Sequence, residues 1–258
     1  MVFHVSTCPR PDELIARLED WYASPVGMEL CAREAECLER MLCETFGYYL
    51  LQVGIEAGFA QAAASSRIRH RILMPPSVTA ASLGLQVAAR AEGLPIASDS
   101  VDAVFLPHTL DFSEEPHQVL REAERVLIPE GRVLVMGFNS LSFWGLWRLV
   151  RRGQGRVPWC GRFLTSFRVN DWLSLLGFDI EMQEMMMFRP PWRHTLPRRL
   201  SVLDSMGSRF WPPLGGVYAI RAVKRVSTLT PLRPSWKHRR PVLRGSAVEP
   251  TTREPGRV

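Results

Sequence analysis

DSVDAVFLPHTLDFSEEPHQVLREAERVLIPEGRVLVMG, Asp99 to Gly137, is the stretch on which the fold is read. Val101 to Leu106 is a short apolar run broken by one Asp, the pattern of a strand buried on both faces of a parallel sheet. Pro116 opens a helix in which Val119, Leu120, Ala123, Val126 and Leu127 recur at helical spacing. Arg121, Glu122, Glu124 and Arg125 fill the other face. Pro129-Glu130-Gly131 reads as the turn that ends it, and Val133 to Met136 as a second buried strand. Strand, helix and strand in that order predict a right-handed βαβ unit with parallel strands.

Working outward toward the N-terminus, Pro11-Asp12-Glu13 is a helix start, with Leu14, Leu18 and Trp21 on one face. Ser24-Pro25-Val26-Gly27 breaks that helix. A second helix is predicted over 28–46, with Leu30, Leu38, Met41, Leu42 and Phe46 inward and Glu34, Glu36, Glu39 and Arg40 outward. Tyr48 to Val53 is the expected first strand. Gly54 to Gly58 then forms a glycine turn before an alanine-rich helix from Phe59, a place where backbone N–H groups approach a polar ligand. Arg71 to Met74 and Gln86 to Ala91 read as the next two strands. Toward the C-terminus, Asn139 and Ser140 leave a strand at its carboxyl end. Phe143 to Arg152 makes an amphipathic helix carrying Trp144 and Trp147, which reads as core packing, a substrate lid or a membrane-surface helix. A helix from Asn170, a strand Phe178 to Met187 near the sheet edge, a helix Leu196 to Met206 and a last strand Val217 to Val223 complete the order.

LPIASDSVDAV, then His108-Thr109-Leu110-Asp111, then VLREAERVLIPEGRVLV resembles the core of class I S-adenosylmethionine-dependent methyltransferases of the type 11-like domain. The close match spans residues 86–138, and a weaker one extends from about 47 to 225. The resemblance implies a Rossmann-like, doubly wound, mostly parallel sheet of seven strands with a final antiparallel strand. It implies S-adenosylmethionine held near Gln52, Gly54, Glu56, Gly58, Ala91, Glu92 and His108, with Asn139, Ser140 and Trp144 toward the methyl acceptor. His108 is the candidate catalytic residue, as general base or as polar wall, and Asp111 a second candidate or a turn cap. This chain departs from the family pattern at three polar anchors. Gln52 replaces an acid, Pro75-Pro76-Ser77 stands where an acid closes the second strand, and Arg90 replaces an Asp. Glu56 stands at the middle glycine of the turn.

Composition bounds the rest. The 258 residues are 46% hydrophobic and 22% charged, as in an ordinary globular protein. Such a core buries about 70–75% of the unfolded surface, so disulfide staples are not required. The five cysteines include no Cys-x-x-Cys pair, and Cys31, Cys37 and Cys43 are spaced onto different helix faces. They read as small buried hydrophobes in a reducing cytoplasm, with no metal site. No targeting segment and no run long enough to span a bilayer is visible. Charge is uneven: residues 1–138 carry 11 basic and 19 acidic groups, residues 139–225 carry 14 and 5, and residues 226–258 carry 7 and 2. A basic second half admits a nucleic-acid partner, but no stretch interleaves aromatics and arginines as a stacking platform does. The expected organisation is an N-terminal helical cap over 1–46, one α/β domain over 47–225, and a disordered basic tail over 226–258, acting as a monomer. The expected function is methyl transfer to an acceptor the sequence does not identify. The alternative is a pseudo-methyltransferase that keeps the fold as a binding module.

Overall fold

The computed structural model describes residues 8–9, 11–56, 58–75, 89–151, 155–191, 207 and 211–225. These lie in one compact unit, 1–226, and the other unit, 227–258, falls outside the described residues. So do the helix expected over 196–206 and most of the strand expected over 86–91, of which Ala89 to Ala91 is irregular.

Two helices lead. α1 is Pro11–Tyr22 and α2 is Pro25–Cys43. Ser24 caps α2, its hydroxyl accepting from the Gly27 amide at 3.2 Å, with Pro25 in the first turn. β1 is Phe46–Val53, followed by α3 (Ala60–Ala64) and β2 (Arg67–Met74). β3 (Val101–Pro107), α4 (Thr109–Phe112), α5 (Pro116–Val126) and β4 (Leu127–Phe138) make up the stretch that decides the fold. α6 (Phe143–Arg151), α7 (Ser166–Leu175), β5 (Phe178–Met186), a 3-10 turn (Pro212–Leu214) and β6 (Val217–Lys224) follow.

Among the described residues the sheet has six strands, in the order β2-β1-β3-β4-β6-β5. β2, β1, β3 and β4 run parallel; β6 is antiparallel to both β4 and β5. A mostly parallel α/β sheet with an antiparallel pair at one edge is the expected class, and β5 is the edge strand. A seventh strand is not among the described residues.

Several local expectations are corrected. Pro129-Glu130-Gly131 does not separate helix from strand. β4 begins at Leu127, paired with Val101, and the tripeptide is an irregularity before pairing resumes at Arg132 opposite Ala103. Glu130 takes a left-handed φ of 63° there. α7 starts four residues before the expected Asn170-Asp171 signal, because the Thr165 hydroxyl accepts from the Arg168 amide while Asn170 is drawn to Gln183 Oε1 at 2.6 Å. Phe46 lies in β1 and is exposed, with Arg67 over its ring. Cys8 and Cys160 are joined in a disulfide, against the reading of five free thiols; Cys31, Cys37 and Cys43 are free.

The alternation of strand side chains makes two apolar cores. Leu51, Val53, Val104, Leu106, Val133, Val135, Ile220 and Ala222 pack under α5 and α7. Leu50, Ala103, Phe105, Leu134, Met136 and Phe138 face α1 and α2. Among the described residues no helix is long and apolar enough to cross a membrane.

Candidate functional site

Ligands of open α/β sheets gather where the parallel strands end. Here β1 ends at Val53, β3 at Pro107 and β4 at Phe138. His108 leaves β3 in the left-handed region, φ 53°, its amide donating to Met136 O. That turn drives its ring inward. Nδ1 lies 2.9 Å from Asp111 Oδ2 and Nε2 lies 2.7 Å from Glu34 Oε1, all three side chains being fully enclosed. Tyr22 donates to the other Glu34 oxygen at 3.0 Å, and the Phe138 amide donates to Asp111 Oδ2. Helices α1 and α2 are thereby pinned to the ends of β3 and β4 by buried charge.

Burial opposes an imidazolium, but the Glu34 charge and the hydrogen bonds to Asp111 and Glu34 outweigh it and raise His108 from 6.5 to about 9. Burial also pushes the Asp111 carboxyl up, against the pull of the imidazolium. Geometry favours the charged histidine: each ring nitrogen faces a different carboxylate at hydrogen-bond distance. Burial and then Glu34 push Tyr22 well above the ordinary phenol range, so it stays a donor.

His108 therefore does not face an open pocket as expected, and neither nitrogen is free to take a proton. Glu34, expected on the outer face of its helix, is the centre of the cluster. Its position was legible: Leu30, Glu34 and Leu38 are four apart, on one stripe that is buried throughout. Only its charge argued outward. Tyr22, one residue past the expected Trp21, gave no sequence signal.

The glycine turn sits beside this cluster. Gly54 and Gly58 have φ of 113° and 77°, which only glycine adopts freely. A Cβ at Gly54 would lie 2.9 Å from Thr109 Oγ1, and one at Gly58 would run into Cys31 Sγ of α2. Gln52 is fully buried; its Nε2 donates to Ile55 O at 2.6 Å, holding the turn, and its Oε1 has no partner. Glu56 is tied to Arg71 at 3.0 Å. On the far side, Glu92 accepts from the Ser113 hydroxyl at 2.7 Å, with Ala91 beside it in a turn and Arg90 Nε at 3.7 Å.

Residues expected toward the acceptor have other roles. Asn139 Nδ2 donates to Pro213 O and Gly215 O, and its Oδ1 accepts from the Leu141 amide, so it clamps the end of β4 to the loop before β6. Ser140 is half-buried, its amide reaching Leu164 O at 3.4 Å. Trp144 is fully buried, donates to Arg189 O and stacks on Phe138. Of the residues expected at the site, the structure brings Gln52, Gly54, Gly58 and His108 together at the ends of β1 and β3. It sends Asn139 and Trp144 into packing.

S-adenosylmethionine would meet two different kinds of surroundings here. An unpartnered buried acceptor at Gln52, beside two left-handed glycines at a strand end, fits the ammonium-bearing methionine portion. No carboxylate closes β2, so the ribose hydroxyls meet no acid from that strand.

A family model described as a methyltransferase domain matches residues 39–135. The uncharacterised protein YafS of Escherichia coli is 34% identical over 206 residues, covering 78% of this chain and 80% of its own. A methyltransferase from Thermotoga maritima superposes with a TM-score of 0.61 at 20% identity, covering 83% of this chain and 97% of its own. A Haloferax volcanii protein solved in complex with the Trm112 methyltransferase activator superposes with a TM-score of 0.58 at 15% identity, covering 81% and 98%.

Proposed function

Because the chain belongs to the class I S-adenosylmethionine-dependent methyltransferase family, we propose that it moves the sulfonium methyl group of S-adenosylmethionine onto an acceptor nucleophile. The observation that carries this reading is the unpartnered Gln52 Oε1 beside the Gly54 and Gly58 turn at the carboxyl end of β1. The bound cofactor supplies an electrophilic methyl group; the acceptor gains it and releases a proton, and a neutral thioether leaves.

The chain's own residues bind and align. Gln52 Oε1 would accept from the methionine ammonium, and the backbone of the turn would approach the same end. Such transfer gains most from holding donor and acceptor in line, so little acid–base machinery is needed. His108 accordingly acts as a positioning residue. Its charge, shared between Glu34 and Asp111, holds α1 and α2 over the strand ends and keeps water from them. A cytoplasmic location is part of the same reading. Thiol titration of protein taken directly from cells tests it: free Cys8 and Cys160 support the cytoplasm, and an intact bond speaks against it.

Calorimetric titration of the full chain with S-adenosylmethionine tests the function. A charge-assisted hydrogen bond contributes about 1.5–3 kcal/mol, so the missing ribose acid weakens affinity by roughly 10- to 100-fold, toward the micromolar to near-millimolar range. Gln52→Leu should weaken it by about a further factor of ten. Gly58→Val is a poor probe, since its side chain would displace α2 at Cys31 as well as block the backbone. No heat at millimolar ligand, with a folded protein, overturns the cofactor and leaves the fold as a binding module.

A further inference from the structure

We propose that a tryptophan-walled cleft on the α1 and α2 side of the sheet binds a small molecule with a flat apolar body carrying an anionic group. The cleft has a volume of about 370 Å³, within the range of small-molecule sites. It lies between the α1–α2 junction, α6 and the turn at 156–159. Trp21, Trp147 and Trp159 wall it, with Val26 and Val157 between them. Trp159 and Val157 are buried, and Trp21 and Trp147 half-buried. Three indoles offer broad, rigid faces at low conformational cost, which suits a planar ligand.

Charge sets the second half of the proposal. Arg151, half-buried, and Arg156, exposed, also line the cleft. The Arg151 guanidinium lies 5.3 Å over the Trp147 ring. Among the described residues neither arginine has a carboxylate partner. A planar guanidinium forks onto carboxylate or phosphate oxygens, so two such groups without an acid, on one apolar cleft, select an anion. The basic excess of residues 139–225 raises the local concentration of such ligands.

Position sets the cleft apart from the strand ends. Trp21 is in edge contact with Phe138 and Trp144, each 6.2 Å away between ring centres. Phe138 in turn lies 4.2 Å from the His108 ring. One aromatic layer therefore separates the cleft from the buried cluster at the ends of β3 and β4.

Calorimetry with naphthalene-2-carboxylate and its neutral analogue naphthalene-2-carboxamide tests this on the full chain. The carboxylate should bind saturably and at least about ten times more tightly than the carboxamide. The double variant Arg151→Gln, Arg156→Gln should lose that advantage while still binding the carboxamide. Arg151→Lys, Arg156→Lys keeps the charges without the forks and should fall between the two, which keeps the test open if the glutamine pair is poorly folded. Equal affinity for the two probes, no binding of either at millimolar concentration, or an unchanged advantage in both variants overturns the assignment. Titrating S-adenosylmethionine into the same samples separates this result from the function. Cofactor heat without probe binding removes the cleft and leaves the methyltransferase. Probe binding without cofactor heat removes the methyltransferase and leaves a ligand site.

Discussion

The two faces of the one sheet are built by opposite means. Under α5 and α7 the strands offer Leu51, Val104, Leu106, Val133, Val135 and Ile220 to an apolar layer, and burial does the work. Under α1 and α2 the same strands and their ends carry Gln52, His108, Asp111 and Arg221, all buried, and Glu34 comes down from α2 to meet them. Arg221 reaches Met41 O and Glu44, a second charged tie to the same helix. The contrast teaches that the helices on the functional face are located by directional, charge-assisted contacts rather than by area alone. Apolar packing tolerates sliding, whereas a histidine between two carboxylates accepts one register.

Glu34→Ala should break that contrast most sharply. It leaves an imidazolium and a phenol buried without their partner and should cost about 3–5 kcal/mol in urea unfolding. On the other face Leu120→Ala should cost about 2–5 kcal/mol by cavity formation alone. A loss for Glu34→Ala below that of an ordinary surface variant would mean that the cluster does not hold the helices.

Acidity distinguishes the two losses. His108 is raised from 6.5 in the unfolded chain to about 9 in the fold, so its contribution is complete below pH 6.5 and disappears as pH rises through 9. Over that window the wild type should lose about 3 kcal/mol. Leu120→Ala should keep this slope, and Glu34→Gln should flatten it. A wild-type stability that does not change between pH 6.5 and 9 would sink the charged-histidine assignment.

Smaller effects sharpen the picture at its seam and its surface. Asn139→Ala removes both donations to the loop before β6 and should cost about 1–3 kcal/mol, with cofactor affinity unchanged. A large drop in cofactor affinity at constant stability would return Asn139 to the site. Arg17→Ala, which loses only the exposed pair with Glu13, should change stability by less than about 0.5 kcal/mol.

The fold was legible wherever period and punctuation agree. Val101 to Leu106, the stripe of α5 and Val133 to Met136 were read as they stand, because a doubly buried strand and an amphipathic helix leave patterns within a dozen residues. The exact limits were less legible. Leu127 belongs to β4 because Val101 lies beside it, a partner 26 residues away. Pro129-Glu130-Gly131 carries a turn signal that a strand irregularity shares.

Within the site, the strand ends, the two glycines and the identity of His108 follow from local sequence, since chain direction and backbone freedom are local properties. What His108 touches is decided by Glu34, 74 positions earlier, and by Asp111 one turn later. Glu34 occupies an apolar stripe with a charge that single-helix reasoning sends to solvent. Of the three tryptophans of the cleft, Trp147 and Trp159 are close in the chain, but Trp21 lies far before them. Burial of a charge is favourable only when its partners arrive with it, and a cleft exists only between elements. Both depend on distances that no stretch of sequence contains until the chain has folded.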